Sequence, residues 1–99
     1  MAIVVQQKLD WTAYRVLRPA IARAVGDPGR GPIHIDLSAV TAMEPAGIGA
    51  LVVLREFAAG NRKAIVLDGV DPRFGPALRD CGLCLNRPAS ARFVALPIR

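Results

Sequence analysis

The sequence predicts an α/β domain built on a single, mainly parallel β-sheet that is flanked by helices. Three observations support this prediction. Short apolar runs of strand length alternate with longer segments of helical periodicity, the segments between them are short, and no internal repeat interrupts the order. A strand that returns through a helix to the same sheet generally keeps its direction, so the alternation indicates parallel pairing. With 99 residues and an apolar fraction of 53%, residues 1–99 have the size and composition of one globular domain.

The first quarter of the chain predicts one strand and one helix. The strand begins at Ile3–Val5 and ends near Leu9–Asp10. Apolar residues then recur at helical spacing over Tyr14–Val25. Pro19 lies inside this pattern and has no backbone N–H, so a kink or a late helix start is expected there. Residues 26–32 are rich in glycine and proline, which predicts a loop.

The middle of the chain predicts a second strand, a second helix and a third strand. Ile33–Leu37 is an apolar run of strand length, and Ala46–Ala59 has the length and composition of a helix. A loop is expected between them, at residues 38–43. Ala64–Leu67 is a shorter apolar run between two polar turns that contain glycine, as expected for a strand buried on both faces of the sheet.

Two further helices complete the prediction. Asp71 and Pro72 have the residue types of an N-cap and of a first helical position. The helix that they begin is expected to end at Gly82, because glycine favours the left-handed conformation that closes many helices. Residues 88–96 predict one more short helix.

The charge of the chain does not indicate a nucleic-acid partner. The formal net charge is +5, with eleven arginines and two lysines. The arginines are scattered singly, however, and no stretch interleaves them with aromatic residues. One Trp, one Tyr and three Phe are too few to form a stacking platform for bases. We therefore interpret the excess charge as a solvated surface.

The sequence contains no segment that indicates a membrane or a secretory pathway. No apolar run approaches the length of about 18 residues that a membrane span requires. The first ten residues lack the basic region, long apolar stretch and cleavage site of a signal peptide. A cytoplasmic location without direct membrane insertion is expected.

The residues that most enzymes use are scarce. His34 is the single histidine, and it lies inside an apolar strand, where a packed residue is expected rather than a catalytic base. The carboxylates are dispersed, and no close pair suggests acid–base catalysis. Glycine-rich phosphate loops are absent. These observations predict a protein that is not an enzyme and uses no cofactor.

The pair Cys81 and Cys84 forms a C-x-x-C motif, which occurs in zinc sites and in redox sites. A zinc site needs two further ligands, and His34 is the only histidine. A reactive thiol gains from a helix N-terminus, whereas Cys81 is expected in the last turn of a helix, where the dipole has the opposite sign. Reduced core cysteines that bind no metal are therefore expected.

The stretch from Asp36 to Gly49 carries the functional signal. A strand ends, a loop follows, and Glu44 with Pro45 begins a helix. The acidic side chain is expected to meet the exposed N–H groups and the positive end of the helix dipole, and Pro45 suits the first helical position. A helix N-terminus stabilises anions, so a hydroxyl group placed here would suit phosphorylation. The helix entrance Met43–Gly49 contains no hydroxyl group.

In this stretch the sequence resembles the STAS domain of anti-sigma factor antagonists. The hallmark of that family is a strand that reads D-L-S-x-V, followed by a hydrophobic residue and D-S-S-G-[LI]-G; here residues 35–49 read IDLSAVTAMEPAGIG. Leu9–Asp10 is similar to the family's E-L-D strand end, residues 64–72 to its L-V-L-x-G-x-x-P segment, and residues 78–83 to its L-x-x-x-G-L helix end. The motifs follow in order over about nine-tenths of the chain. The resemblance implies a STAS fold.

Two departures from the family pattern affect function. Ala46 stands where the family has its phosphoacceptor serine, with Pro45 and Glu44 in place of the preceding serine and aspartate. The family's usual kinase would therefore not modify this position. The chain also begins almost directly in the strand that ends at Leu9–Asp10, so the family's usual first strand is missing. An unpaired sheet edge of this kind invites pairing with another chain.

The resemblance implies a regulatory module that binds an anti-sigma factor or a similar protein. With Ala46 at the phosphorylation position, its binding surface would be permanently competent or redirected to a new partner. A second hypothesis is an accessory subunit of a phospholipid-trafficking ABC transporter, because STAS proteins of that kind also have Ala before the first glycine. They carry Thr where this chain has Pro45. A small-ligand or nucleotide-binding STAS protein is a third hypothesis.

The helix Ala46–Ala59 is where a partner is expected to bind. Its periodicity does not select an inward face, because apolar residues occur nearly all round it. The family's register turns one set of positions to the sheet, namely Ile48, Leu51, Val52 and Ala58. The positions that it leaves outward are Gly49, Val53, Glu56 and Phe57.

Val53 and Phe57 are the apolar members of the outward set, and their spacing places them side by side on one helix face. A protein partner would cover this patch, and so would a second copy of the chain, bound here or at the open sheet edge. The predicted partner-binding residues are Asp10, Met43, Glu44, Pro45, Ala46, Gly47, Gly49, Val53 and Phe57.

Overall fold

A computed structural model describes residues 2–27, 29 and 31–86. Within these ranges the strands and helices alternate, as predicted. In chain order they are β1 (Ala2–Leu9), α1 (Thr12–Gly26), β2 (Ile33–Met43), α2 (Pro45–Gly60), β3 (Ile65–Asp68), α3 (Gly75–Asp80) and β4 (Cys84–Leu85). The helix predicted at residues 88–96 lies outside the described residues.

The four strands form one sheet in the order β1-β2-β3-β4, and each pair of neighbours is parallel. Ile35 of β2 is paired with Ile3 on one side and with Leu67 on the other, and Leu67 is paired with Leu85 of β4. Paired residues of parallel strands project to the same face of a sheet, so this row lies on one face. The predicted α/β class with a single parallel sheet is confirmed.

The core lies between one face of the sheet and the helices. Side chains of β2 and β3 alternate between a fully buried face, with Ile35 and Leu67, and a half-buried face, with His34 and Val66. The prediction that the third strand is buried on both faces is therefore wrong, because in the described structure its second face is only half covered. The side chains with almost no exposed surface are Leu9, Leu17, Ile21, Ile35, Leu37, Leu51, Leu54, Leu67 and Leu78.

The second strand is longer than predicted. Residues 38–43 continue β2 instead of forming a loop, and they pair with the end of β1 as far as Leu9 with Met43. The register shifts twice along this pairing, between Val4 and Gln6 and between Gln7 and Lys8. Such β-bulges break the strict alternation of side chains, which is the pattern that identifies a strand from sequence.

Two helix starts also differ from the predictions. The first helix begins at Thr12 and continues through Pro19, so a late start at Pro19 is wrong. The buried neighbours Leu17 and Ile21 hold this turn against the core on both sides of the proline. The third helix begins at Gly75, because residues 72–74 form a turn in which the Asp71 carboxylate accepts a hydrogen bond from the Arg73 N–H at 2.9 Å. Gly82 follows this helix with a φ of +80°, so the residue predicted to close it does so.

Candidate protein-binding face at the start of the second helix

The entrance of α2 is built largely as predicted from sequence. Glu44 is the extended N-cap residue, with φ −106° and ψ 153°, and Pro45 occupies the first turn, where a missing N–H is tolerated. The Glu44 carbonyl oxygen accepts hydrogen bonds from the N–H groups of Gly47 and Ile48, at 2.9 and 3.2 Å. These bonds fix the direction in which the helix leaves the sheet.

The Glu44 side chain does not cap the helix. Its carboxylate lies 2.9 Å from Nζ of Lys8 on β1 and makes no hydrogen bond to the N–H groups of the first turn. The expected contact with the helix N-terminus is therefore wrong. Lys8, which carries the opposite charge and lies on β1, is the closer partner of the Glu44 carboxylate. The hydrogen bond between them raises the pKa of the Lys8 amino group.

The first turn of α2 lies against the backbone at the end of β1. The Glu44 N–H donates to the Leu9 carbonyl oxygen at 2.9 Å. A Cβ atom on Gly47 would lie 2.3 Å from that same oxygen and 2.8 Å from the Asp10 nitrogen, closer than atoms can approach. Only glycine permits this contact, and Gly47 is buried by it. Gly47 was predicted to bind a partner, but it has no surface to offer one and serves instead to hold the two elements together.

Asp10 lies at the same point of the fold, two residues before the start of α1. Its carboxylate accepts hydrogen bonds from both the N–H and the hydroxyl group of Thr12. These two bonds, helped by the charge of Lys8, lower the pKa of the Asp10 carboxyl group. The carboxylate thus satisfies one backbone donor at the start of α1, while the Asp10 backbone lies against the start of α2.

The register predicted from the family resemblance holds for most of α2, but Phe57, which it placed outward, packs against the core. Leu51 and Ala58 are buried, and Ile48 and Val52 are half-buried. The outward positions differ in their surroundings. Gly49 and Glu56 are exposed, Val53 is 53% exposed, and Phe57 is half-buried.

Most of the predicted partner-binding residues therefore lie at the entrance of α2 or along its outer side. Met43 is half-buried and packs against the core, so it contributes less surface than expected. The Glu44 carboxylate is engaged by Lys8. The docking face, as it is called below, consists of the exposed residues Pro45, Ala46, Gly49 and Val53 together with the half-buried residues Asp10 and Phe57.

Sequence reasoning missed an adjoining group of residues on α1. Trp11 is 58% exposed and Tyr14 is 40% exposed, an unusual degree for large aromatic side chains. The guanidinium group of Arg18 lies 3.9 Å from the centroid of the Phe57 ring and so connects this part of α1 to the docking face. The spacing of Trp11, Arg15 and Arg18 at i, i+4 and i+7 was the available signal.

The single histidine of the sequence, His34, lies away from the docking face. On the half-buried face of the sheet, Nδ1 of His34 and Oδ2 of Asp68 are 2.9 Å apart, and the Asn86 amide donates to the other Asp68 oxygen at 2.9 Å. His34 is thus half-buried and hydrogen-bonded within the strand face, as a structural residue would be. In the described part of the chain no three His, Cys, Asp or Glu side chains are grouped as metal ligands.

Cys81 and Cys84 are free and exposed, so the prediction that they belong to the core is wrong. Cys81 follows the last residue of α3, and Cys84 begins the edge strand β4. Their side chains therefore lie outside the apolar core. Among the described helices, none is long and apolar enough to cross a membrane.

Comparisons with known proteins agree with this architecture. A family model described as "Mlab, STAS domain" matches residues 1–83. The solved structure of the anti-sigma factor antagonist SpoIIAA in its unphosphorylated form superposes with a TM-score of 0.67 and 15% sequence identity, over 95% of this chain and 84% of that one. At this identity the likeness concerns the fold. No curated protein sequence matches the chain.

The close contact at Gly47 is testable by substitution. Gly47→Ala is expected to destabilise the protein by about 1–3 kcal/mol or more, because the new methyl group has to displace backbone atoms of β1. Gly49→Ala is the matched control: nothing lies within 4 Å of its Cβ position, and alanine favours helix by roughly 0.5–1 kcal/mol. Thermal and urea unfolding measure both variants. Equal stability of the two would show that α2 does not begin against β1.

The role of Asp10 predicts a pH dependence. Its pKa is lowered in the folded state, so its stabilising effect is present above the ordinary aspartate pKa of about 4 and is lost as pH falls through the lowered value. Asp10→Asn should therefore melt at a lower temperature than the parent at pH 7, with the difference shrinking as the pH falls below about 4. Asp80→Asn removes an exposed carboxylate from the end of α3 and serves as the control. A constant difference across this pH range would contradict the assignment.

Proposed function

Because this chain belongs to the STAS domain family, we propose that it acts by binding another protein rather than by catalysing a reaction. The observation that carries the proposal is the exposure of Val53 at the centre of the docking face. The sheet and α1 cover the inner side of α2, whereas this β-branched apolar residue stays in water near the middle of the helix. Covering it would contribute roughly 1.5–3 kcal/mol to a complex.

The first candidate partner is an anti-sigma factor or a similar regulatory protein. Structural similarity to the anti-sigma factor antagonist SpoIIAA supports this choice. The docking face carries Ala46 and Pro45 at the helix entrance, and neither side chain accepts a phosphate. Binding through this face is therefore independent of phosphorylation there, and the complex would persist until the partner itself changes or is titrated away.

The second candidate is a subunit of a phospholipid-trafficking ABC transporter. Ala46 before Gly47, the feature shared with STAS proteins of that kind, favours this class over a small-ligand role. Both candidates place a protein on the docking face, and they differ in which protein it is. Genes encoded beside this one would separate them: a sigma factor or anti-sigma gene supports the first, and permease and ATPase genes support the second.

Substitution of Val53 tests the docking face. Val53→Asp places a charge in the centre of the face and is expected to abolish complex formation while leaving the melting temperature within a few degrees of the parent. The matched control is Val16→Asp, since Val16 is 68% exposed and lies on the opposite side of α1 from Arg18. Each variant is co-expressed with an anti-sigma-type partner and with a transporter ATPase, and sedimentation measures both complex formation and self-association.

Three results of that experiment are decisive. Loss of either complex, or of self-association, by Val53→Asp but not by Val16→Asp supports the docking face and identifies its occupant. If both variants bind the partner equally well, the proposed docking face is contradicted. Unfolding of Val53→Asp would show that Val53 belongs to the core and would contradict the face as well.

Substitution of Ala46 tests the constitutive state. Ala46 is exposed in the first turn of α2, so Ala46→Ser should change stability by only a few tenths of a kcal/mol and leave binding intact. Ala46→Asp places a negative charge at the same point, as a phosphate would, and should weaken the complex at least tenfold. Stability should not fall, because an acid is favourable in the first turn of a helix. Binding of Ala46→Asp as tight as that of Ala46→Ser would contradict the proposed role of this position.

A further inference from the structure

The exposed aromatic and arginine side chains of α1 form a continuous surface beside the docking face. This surface, called the arginine–aromatic strip, consists of Trp11, Tyr14, Arg15 and Arg18 together with the Phe57 ring on α2. Trp, Tyr and Arg are the residue types that contribute most to binding at protein interfaces. Trp11 and Tyr14 are two of the four large apolar residues that the described structure leaves exposed, and Val53 of the docking face is a third.

The geometry of the strip orients its arginines for recognition. The Arg15 guanidinium lies 5.5 Å from the centroid of the Trp11 ring, and that of Arg18 lies 3.9 Å from the Phe57 ring. A guanidinium group that rests on a ring uses its flat face, whereas its N–H donors point outward in its plane. The rings thus hold both arginines in place and leave their donors directed to the surroundings.

The charge of the strip has no counterpart in the described part of the chain. Neither Arg15 nor Arg18 is within ion-pair distance of a described carboxylate. The two acids near the helix entrances are otherwise engaged, since Asp10 accepts from Thr12 and Glu44 is paired with Lys8. The strip therefore offers two unpaired cations next to exposed apolar rings.

This combination selects one kind of occupant. A second copy bound through the same strip about a twofold axis would offer no carboxylate to these arginines, because the strip contains none. Two arginines are also fewer phosphate contacts than nucleic-acid binding generally uses. An acidic protein segment fits both properties, because its carboxylates form bidentate pairs with guanidinium groups and its apolar side chains cover the rings.

We propose that the arginine–aromatic strip binds an acidic, amphipathic segment of the protein partner. Its carboxylates pair with Arg15 and Arg18, and its apolar side chains lie on Trp11 and Tyr14. The inference rests on the proposed function, because it names the chemistry of the partner that contacts the docking face and its continuation onto α1.

Trp11 is the only tryptophan in the sequence, so its fluorescence reports on the strip directly. The probes are two synthetic 18-residue amphipathic peptides with leucines at the same positions and with either glutamates or lysines at all others. The glutamate peptide should shift the Trp11 emission to shorter wavelength, saturate, and bind at least tenfold more tightly than the lysine peptide at low salt. Its affinity should fall as salt is added. Equal affinities, or no response to the glutamate peptide, would overturn the proposal.

Two double variants assign the effect to the strip. Arg15→Gln with Arg18→Gln should weaken binding of the glutamate peptide at least tenfold. Arg23→Gln with Arg79→Gln removes the same charge from exposed helical positions outside the strip and should change the affinity less than twofold. Glutamine keeps a helix propensity similar to that of arginine, so both pairs should remain folded. Equal losses in the two pairs would show that net charge alone attracts the peptide.

The same variants separate this proposal from the proposed function. If Val53→Asp abolishes the complex with the partner while the Arg15 and Arg18 variant binds both partner and glutamate peptide normally, the docking face stands and the strip proposal fails. If Val53→Asp binds the partner normally while the arginine variant loses the glutamate peptide, the strip stands and the docking face fails.

Discussion

The backbone contact between the end of β1 and the start of α2 is the constraint on which the rest of the molecule depends. The Glu44 N–H is bonded to the Leu9 carbonyl oxygen, and the missing side chain of Gly47 lets the first turn of α2 lie against the same peptide unit. Since α1 begins at Thr12, both large helices start from this one point. Their outer residues therefore become neighbours, although Trp11 and Pro45 are 34 positions apart in the sequence.

The proposed function depends on the apolar surface that the core leaves exposed. Helix α2 is apolar nearly all round, and the sheet and α1 bury Leu51, Leu54 and Ala58. Val53 remains in water near the middle of this helix, and Ala46, which cannot be phosphorylated, is exposed in its first turn. Such a surface is apolar and fixed in shape, and it has no hydroxyl group at the helix entrance that could be phosphorylated. It is suited to binding a protein without regulation at that position.

The sequence was sufficient for features that local chemistry determines. Alternating apolar runs predicted the first three strands and the helices but not β4, Pro45 marked the start of α2, and Gly82 marked the end of α3. It was insufficient where partners distant in sequence decide the outcome. Residues 38–43 are held as strand by pairing with β1, Glu44 turns to Lys8, and Arg18 lies on Phe57. Each of these contacts joins different elements, so no local pattern encodes it. The exposure of Cys84 likewise follows from its position on the edge strand, which its spacing from Cys81 does not reveal.

Amide hydrogen exchange at Glu44, followed residue by residue by NMR, tests the central contact most directly. An N–H at the start of a helix normally lacks an intrahelical partner and exchanges fast. The contact with the Leu9 carbonyl oxygen predicts that the Glu44 amide exchanges as slowly as that of Ile35 in the centre of the sheet. Exchange of the Glu44 amide as fast as that of Gly31 in the exposed loop would show that the helix entrance is not anchored to β1, and the docking face would lose its structural basis.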